Sequence, residues 1–145
     1  MFETILVPTD GSPWSDKAAD AAIGVAKAIG GRIVVLAVAE PYPIMPAAEG
    51  AFLGDWTEYE AESRRIAQEH VHKVTTAAGD VHVPCESVVV ASFNTSDEII
   101  DAANRFHCGV IFMGSHGRKG LSKLFLGSQT QKVLAHSTIP VMVFR

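Results

Sequence analysis

Apolar residues along this chain follow two patterns that take turns. Unbroken runs rich in β-branched residues, "FETILVPT", "RIVVLAVA", "VHVPCESVVVA", "CGVIFMGS" and "IPVMVFR", read as strands. Continuous runs, rather than strict alternation, mean burial on both faces, the mark of a parallel sheet covered by helices. Between the runs, apolar positions recur every three or four residues. In "GSPWSDKAADAAIGVAKAIGG" Ser12 reads as an N-cap, Pro13 as the first helical residue and Gly30-Gly31 as a stop, with Ala19, Ala22, Ile23, Ala26 and Ile29 on the buried face. A second helix is expected from Trp56 to Ala78 on Tyr59, Ile66, Val71, Val74 and Ala78, ended by Gly79. "NTSDEIIDAANRF" predicts a third helix burying Ile99, Ile100, Ala103 and Phe106, and "SQTQKVLAHS" a fourth.

The order β-α-β-α-β-α-β-α-β over residues 1–145 predicts a single α/β domain. It should be a doubly wound, five-stranded parallel sheet with helices on both faces and right-handed crossovers. Ligands of such sheets lie outside the strand carboxyl ends, where the strand order reverses. One stretch does not fit either pattern: "EPYPIMPAAEGAFLGD", residues 40–55, carries three prolines and two glycines and reads as a lid or an irregular excursion.

Composition narrows the classes. A hydrophobic share of 48% with 19% charged residues is that of an ordinary soluble globule, and no apolar run approaches the ~20 residues of a membrane helix. Glu3 stands where a signal peptide would be basic, so a cytoplasmic protein is expected. Twelve basic against sixteen acidic residues leave a charge of −4, which argues against a nucleic-acid surface and requires any phosphate site to be local. Cys85 and Cys108 fall in apolar runs and read as core thiols, and the six histidines show no metal-ligand spacing.

Two turns carry the candidate chemistry. "ILVPTDGS" breaks from strand to helix at Pro8, Thr9 and Asp10, and "MGSHGRKGLSKLFLGSQT" does the same more than a hundred residues later. In the second, Gly114 and Gly117 flank Ser115-His116, and after nine further residues Gly127-Ser128 opens a helix, a spacing of Gly-x2-Gly-x9-Gly-Ser. Glycine permits positive φ and close approach of a ligand to the backbone, and a helix N-terminus offers bare N–H groups to an anion. This is phosphate-binding chemistry, although neither Gly-x4-Gly-Lys-Ser/Thr nor Gly-x-Gly-x-x-Gly is present.

"MGSHGRKGLSKLFLGS" followed by "KVLAHSTIPVMVFR", with "ILVPTDGS" at the start, resembles the universal stress protein family in its ATP-binding branch, in order and over essentially the whole chain. The resemblance implies an adenine nucleotide alpha hydrolase-like sheet, an ATP site and usually a homodimer. Carried over by position, the first-strand contacts fall on Pro8, Thr9 and Asp10, and the adenine-facing position of the second strand on Val38. The phosphate loop falls on Gly114 to Gly120, through Ser115, His116, Gly117 and Arg118, and ends at Gly127, Ser128, Gln129 and Thr130. Asp10 then accepts from adenine or ribose or orders a hydrated magnesium, or is simply an Asx turn on the first helix. Val38 covers a base face or is plain core, and Ser128 donates to the terminal phosphate. His116 reaches ribose or phosphate or stands solvated in the loop, and Arg118 and Lys119 supply phosphate charge or are solvated.

On this reading the chain is an ATP-binding regulatory protein of the stress response, a nucleotide-dependent switch with little turnover, read by a further protein. A slow ATPase or nucleotidyl transferase is the alternative. Those relatives carry a Ser-Gly-Gly loop or a His-x-Gly-His pair after the first strand, and "PTDGSPWS" has neither. The closing strand, with no helix after it, is expected to pair with its two-fold copy.

Overall fold

The computed structural model describes residues 1–43, 55–118 and 125–145. Strands β1 (Thr4–Pro8), β2 (Arg32–Ala39), β3 (Cys85–Ala91), β4 (Val110–Gly114) and β5 (Val141–Phe144) alternate with helices α1 (Pro13–Ile29), α2 (Trp56–Asp80), α3 (Thr95–Arg105) and α4 (Ser128–His136). Every strand pairing is parallel, and the sheet runs in the order β3-β2-β1-β4-β5. This is the doubly wound α/β architecture that the apolar runs predict.

Alternate residues of the central strand divide two cores. Ile5 and Val7 join Ile33, Val35, Val110 and Phe112 beneath α1 and α2. Leu6 joins Val34, Leu36, Ile111 and Met113 beneath α3 and α4. Each such side chain stabilises the fold by roughly 1.5–3 kcal/mol when fully buried, so no position of β1 between Thr4 and Pro8 tolerates a solvated residue. The α1 face is built of Ala18, Ala19, Ala22 and Ala26, small enough for the helix to lie close on the sheet. Its start is as expected: Pro13 opens the helix and the Ser12 hydroxyl accepts from Ser15 N–H at 3.2 Å. At its end Ile29 departs from expectation, 51% exposed, with its Cγ1 beside Gly31 instead of in the core.

The helix stops hold the clearest corrections. Gly79 does not end α2 but lies inside it, and the chain turns at His82, which takes φ +61°. His82 N–H bonds the Gly79 carbonyl at 3.0 Å and Val83 N–H the Ala78 carbonyl at 2.9 Å, a Schellman closure that drops Val83 into the core. α3 ends the same way: His107 takes φ +52°, bonds Asn104, and Cys108 N–H reaches the Ala103 carbonyl at 2.8 Å. Histidine is among the few non-glycine residues enriched in this conformation, so two of the six histidines are helix stops. The turn at His82 also explains why β3 begins only at Cys85. On α2 the buried residues are Ala67, Val71, Val74 and Ala78, whereas Tyr59 is exposed and Ile66 half-buried.

Cys108 is buried and Cys85 half-buried, and both are free thiols. Burial pushes each up to about 11, which keeps them protonated and unreactive at neutral pH. Among the described residues no helix is long and apolar enough to cross a membrane. The chain leaves β1 toward β2 on one side and enters β4 on the other, so the strand order reverses between β1 and β4. A crevice therefore opens at their carboxyl ends, where both glycine turns lie.

Candidate functional site

As the chain leaves β1, Thr9 N–H still bonds the Leu36 carbonyl at 2.8 Å, so the first turn starts while the chain is still tied to β2. Asp10 then uses both carboxylate oxygens. Oδ1 accepts from Ser12 N–H at 3.0 Å, an Asx turn at the start of α1. Oδ2 accepts from Arg118 N–H at 2.8 Å, across 108 residues of sequence. One carboxylate thus fastens the two turns together, and the Asx turn and the wider role coexist. Gly11 between them takes φ +75°, and any side chain there would strike the His70 imidazole on α2.

The glycines of the second turn have different tasks. A Cβ on Gly114 would lie 2.8 Å from the Trp14 carbonyl carbon and 2.9 Å from Ser15 N, so this glycine lets the first turn of α1 sit against β4. On Gly117 it would lie 2.9 Å from Asp10 Oδ2. On Gly127 it would meet the Ser115 carbonyl oxygen at 3.2 Å and His116 Cα at 3.3 Å. The expected positive φ is not what they supply, since among the described glycines only Gly11 and Gly30 adopt it. What Gly114, Gly117 and Gly127 supply is close approach.

Hydrogen bonds then close the loop. Gly127 N–H bonds the Ser115 carbonyl at 2.8 Å, and the Thr130 hydroxyl donates to the Gly114 carbonyl at 3.0 Å. Ser115 is fully buried, its N–H on the Phe144 carbonyl and its hydroxyl 2.9 Å from His116 Nδ1, so it supports the loop and does not face the crevice. His116 is not solvated: it is 8% exposed, its ring centroid stands 5.2 Å from that of Trp14, and its Nε2 has no hydrogen-bond partner among the described residues. The Gln129 side chain accepts from Ser96 N–H at 3.1 Å and so caps α3, where Asn94 makes no capping bond. Among the described residues no side chain caps α4 behind Gly127, and Ser128 at its start is half-buried. Its first N–H groups can therefore bond water or an anion.

These residues line one cleft of about 750 Å³, within the range of small-molecule sites. Its wall includes Pro8, Thr9, Asp10, Val38, Gly114, His116, Gly117, Arg118, Gly127, Ser128, Gln129 and Thr130, which is every expected position except Ser115. Lys119, Gly120 and most of the expected lid lie outside the described residues. The stem of that segment is tied to α2: Ser63 donates to the Glu40 carbonyl at 3.0 Å, and Tyr42 meets Tyr59 edge to face at 5.3 Å. Sequence reasoning missed the α2 wall of Tyr59, Ser63, Ile66 and His70, and Thr95 and Ile99 on α3. The available signal was His70 itself, a polar residue three after Ala67 and four before Val74 on the edge of an apolar helix face. Burial holds the proton affinity of His70 below its ordinary value, and the Arg118 cation lowers it further, against smaller opposing effects of Asp10, Glu69 and Asp16. Among the described residues no cluster of three or more histidine, cysteine, aspartate or glutamate side chains is placed to hold a metal.

The sequence profile of the Universal stress protein family matches residues 1–145. The chain is 36% identical to a Thermus aquaticus universal stress protein encoded 3′ of a QAH/OAS sulfhydrylase gene, with all of both chains covered. Among solved structures, UspA of Lactobacillus plantarum superposes with a TM-score of 0.84 at 20% identity, covering 99% of this chain and 98% of that one. A universal stress protein in complex with cAMP gives 0.69 at 20% identity over 99% and 97% of the chains. The Archaeoglobus fulgidus protein in complex with dAMP gives 0.70 at 18% identity over the full length of both. The match of the profile from end to end, with a relative of this identity over its whole length, means that the chain belongs to the universal stress protein family.

Proposed function

We propose that the chain is an adenine-nucleotide-binding regulatory protein that takes ATP in the cleft between β1 and β4 and turns it over slowly, if at all. One observation carries the reading: a single cleft joins Asp10, Val38 and the N-terminus of α4, whose N-cap Gly127 has no side chain to cap it. The residues present fit a nucleotide. The cleft is large enough, Gly117 and Gly127 let the second turn close on Asp10 and on the Ser115–His116 backbone along its wall, and the buried His116 Nε2 has no hydrogen-bond partner among the described residues. Asp10 and Val38 would meet ribose and base, and the amides of α4 with the Ser128 hydroxyl would hold phosphate. The cAMP and dAMP complexes of structural neighbours support the adenine class. Magnesium would be held chiefly by phosphate and water, with the Asp10 carboxylate in the same cleft wall.

Bound ATP would supply charge and shape that a partner protein reads, as expected of a stress-response switch. The Asp10 carboxylate is engaged by two backbone N–H groups and is thereby a fastener, poorly placed to serve as a general base. Mass spectrometry of small molecules released from protein purified without added nucleotide should detect ATP. Steady-state phosphate release with magnesium should run far below the ~1 s⁻¹ at the low end of ordinary enzymes. Faster turnover, abolished by a cleft mutation, would establish the ATPase reading instead.

We also propose that the protein is a homodimer through β5, which forms one edge of the sheet and leaves Met142 49% exposed. The Pro140 and Phe144 carbonyls face β4, accepting from Ile111 and Ser115 N–H, so by strand alternation Val143 directs its N–H outward. Light scattering should return about twice the 15.5 kDa chain mass. Val143→Pro removes an outward donor and should shift the mass toward monomer. A monomeric unmutated protein at micromolar concentration would contradict the pairing.

A further inference from the structure

Of the ionisable side chains around the cleft, His70 has no part in the reading above, yet its position is specific. It projects from α2 into the cleft wall, and its ring rests on the β1–α1 turn at Gly11, next to Asp10. Among the described residues, the charged groups that act on it come from the two turns, from α1 and from its own helix. Arg118 lies on the β4–α4 loop, Asp10 on the first turn, Asp16 on α1, and Glu69 on its own helix. Lys73, one turn further along α2, is already paired with Asp16 at 2.6 Å. The Asp10 oxygens are likewise engaged by Ser12 and Arg118 amides.

We infer that His70 is a proton-linked phosphate ligand of this cleft: when a nucleotide phosphate binds near Arg118, the imidazole takes a proton from solvent and donates a hydrogen bond to a phosphate oxygen. This rests on the nucleotide reading and adds a pH dependence to it. In the free cleft, burial and the Arg118 cation both disfavour the imidazolium, so its proton affinity lies below the ordinary 6.5. A phosphate neutralises the neighbouring cation and pairs with the imidazolium, which raises the proton affinity in the bound state. The resulting gain in ATP affinity is complete below the free-cleft pKa and disappears as pH rises through the bound-state pKa. Each unit of that rise tightens ATP by about tenfold at low pH.

The test is calorimetric titration of the full chain with ATP, between about pH 6 and pH 8, in buffers of low and high ionisation enthalpy. His70→Gln is compared with the unmutated protein, because protons taken up by ATP itself are common to both. The unmutated protein should take up additional protons near neutrality and hold an affinity advantage over His70→Gln that shrinks as pH rises. Adenosine should bind without that additional uptake. His70→Lys, with a cation at all these pH values, should show the same pH dependence as His70→Gln, offset to tighter binding, and no additional uptake, and circular dichroism verifies that each variant is folded. Equal proton uptake and parallel affinity curves for the unmutated protein and His70→Gln would overturn the inference while leaving ATP binding standing. Equal additional uptake with adenosine would remove phosphate as its cause. Absence of ATP binding at every pH would overturn it together with the nucleotide reading.

Discussion

Gly127→Asp is expected to weaken ATP binding at least thirtyfold, about 2 kcal/mol, while the protein stays folded. Gly127 is the N-cap of α4 with ordinary extended backbone at φ −60° and ψ 150°, so aspartate meets no backbone strain there. Its Cβ would press on the Ser115 carbonyl at 3.2 Å and on His116 Cα at 3.3 Å, so that segment must give by a few tenths of an ångström, which the thermal melt reads directly. Aspartate is also among the best N-cap residues, and its carboxylate would accept from the first free N–H groups of α4. Those are the groups assigned to phosphate. The substituted side chain therefore occupies the anion site from within the chain, adds a negative charge to it and stabilises the helix. ATP should lose several charge-assisted hydrogen bonds, whereas adenosine, held by Asp10 and Val38, should lose little. Calorimetric titration of both ligands and a thermal melt decide the matter. Unchanged ATP affinity in a folded variant would falsify the phosphate assignment, and equal losses for ATP and adenosine would make the loop purely structural. Gly127→Asn, which caps without charge, should fall between the two proteins.

How much of this was legible in the sequence depended on whether the controlling contact was local. The strands were legible because β1, β2 and β4 are covered on both faces and must be apolar throughout. The start of α1 was legible because Ser12 and Pro13 act within their own turn. The site was legible as two turns, since glycine and aspartate at strand ends have few other uses. What each residue does there was not, because its partner lies elsewhere in the chain. Gly114 answers to Trp14 and Ser15, Gln129 to Ser96, and Ser115 to Phe144 and Gly127. The same holds for Tyr59 and Ile66, whose helical spacing matches the core face but which the structure places in the wall of the cleft. Periodicity assigns a side of a helix, and only the tertiary fold decides whether that side meets a sheet or a cavity. The histidine stops at His82 and His107 were missed because the usual signal is glycine, and Gly79 stood three residues early.

Asp10→Asn should separate the fastener from the ligand contact, and it is expected to weaken both ATP and adenosine, each by at least about tenfold, or 1.4 kcal/mol. The isosteric amide has a single acceptor oxygen, whereas the carboxylate serves two donors, Ser12 N–H at 3.0 Å and Arg118 N–H at 2.8 Å. Asparagine forms Asx turns as readily as aspartate, so its oxygen should stay with Ser12 and keep the start of α1. Its NH2 group then faces the Arg118 amide, donor against donor, and the link between the two turns is lost. Arg118 is exposed, so water can take up its N–H, and the cost to stability should be near the lower end of the ~1–3 kcal/mol for an unmade bond. Binding should suffer more than folding, because the phosphate loop is no longer anchored and the acceptor offered to ribose or base has lost its charge. This pattern contrasts with Gly127→Asp, whose effect is confined to the phosphorylated ligand. If Asp10→Asn binds both ligands as the unmutated protein does, Asp10 is an Asx turn and nothing more. If only ATP weakens, the carboxylate acts through the loop and makes no contact with the nucleoside.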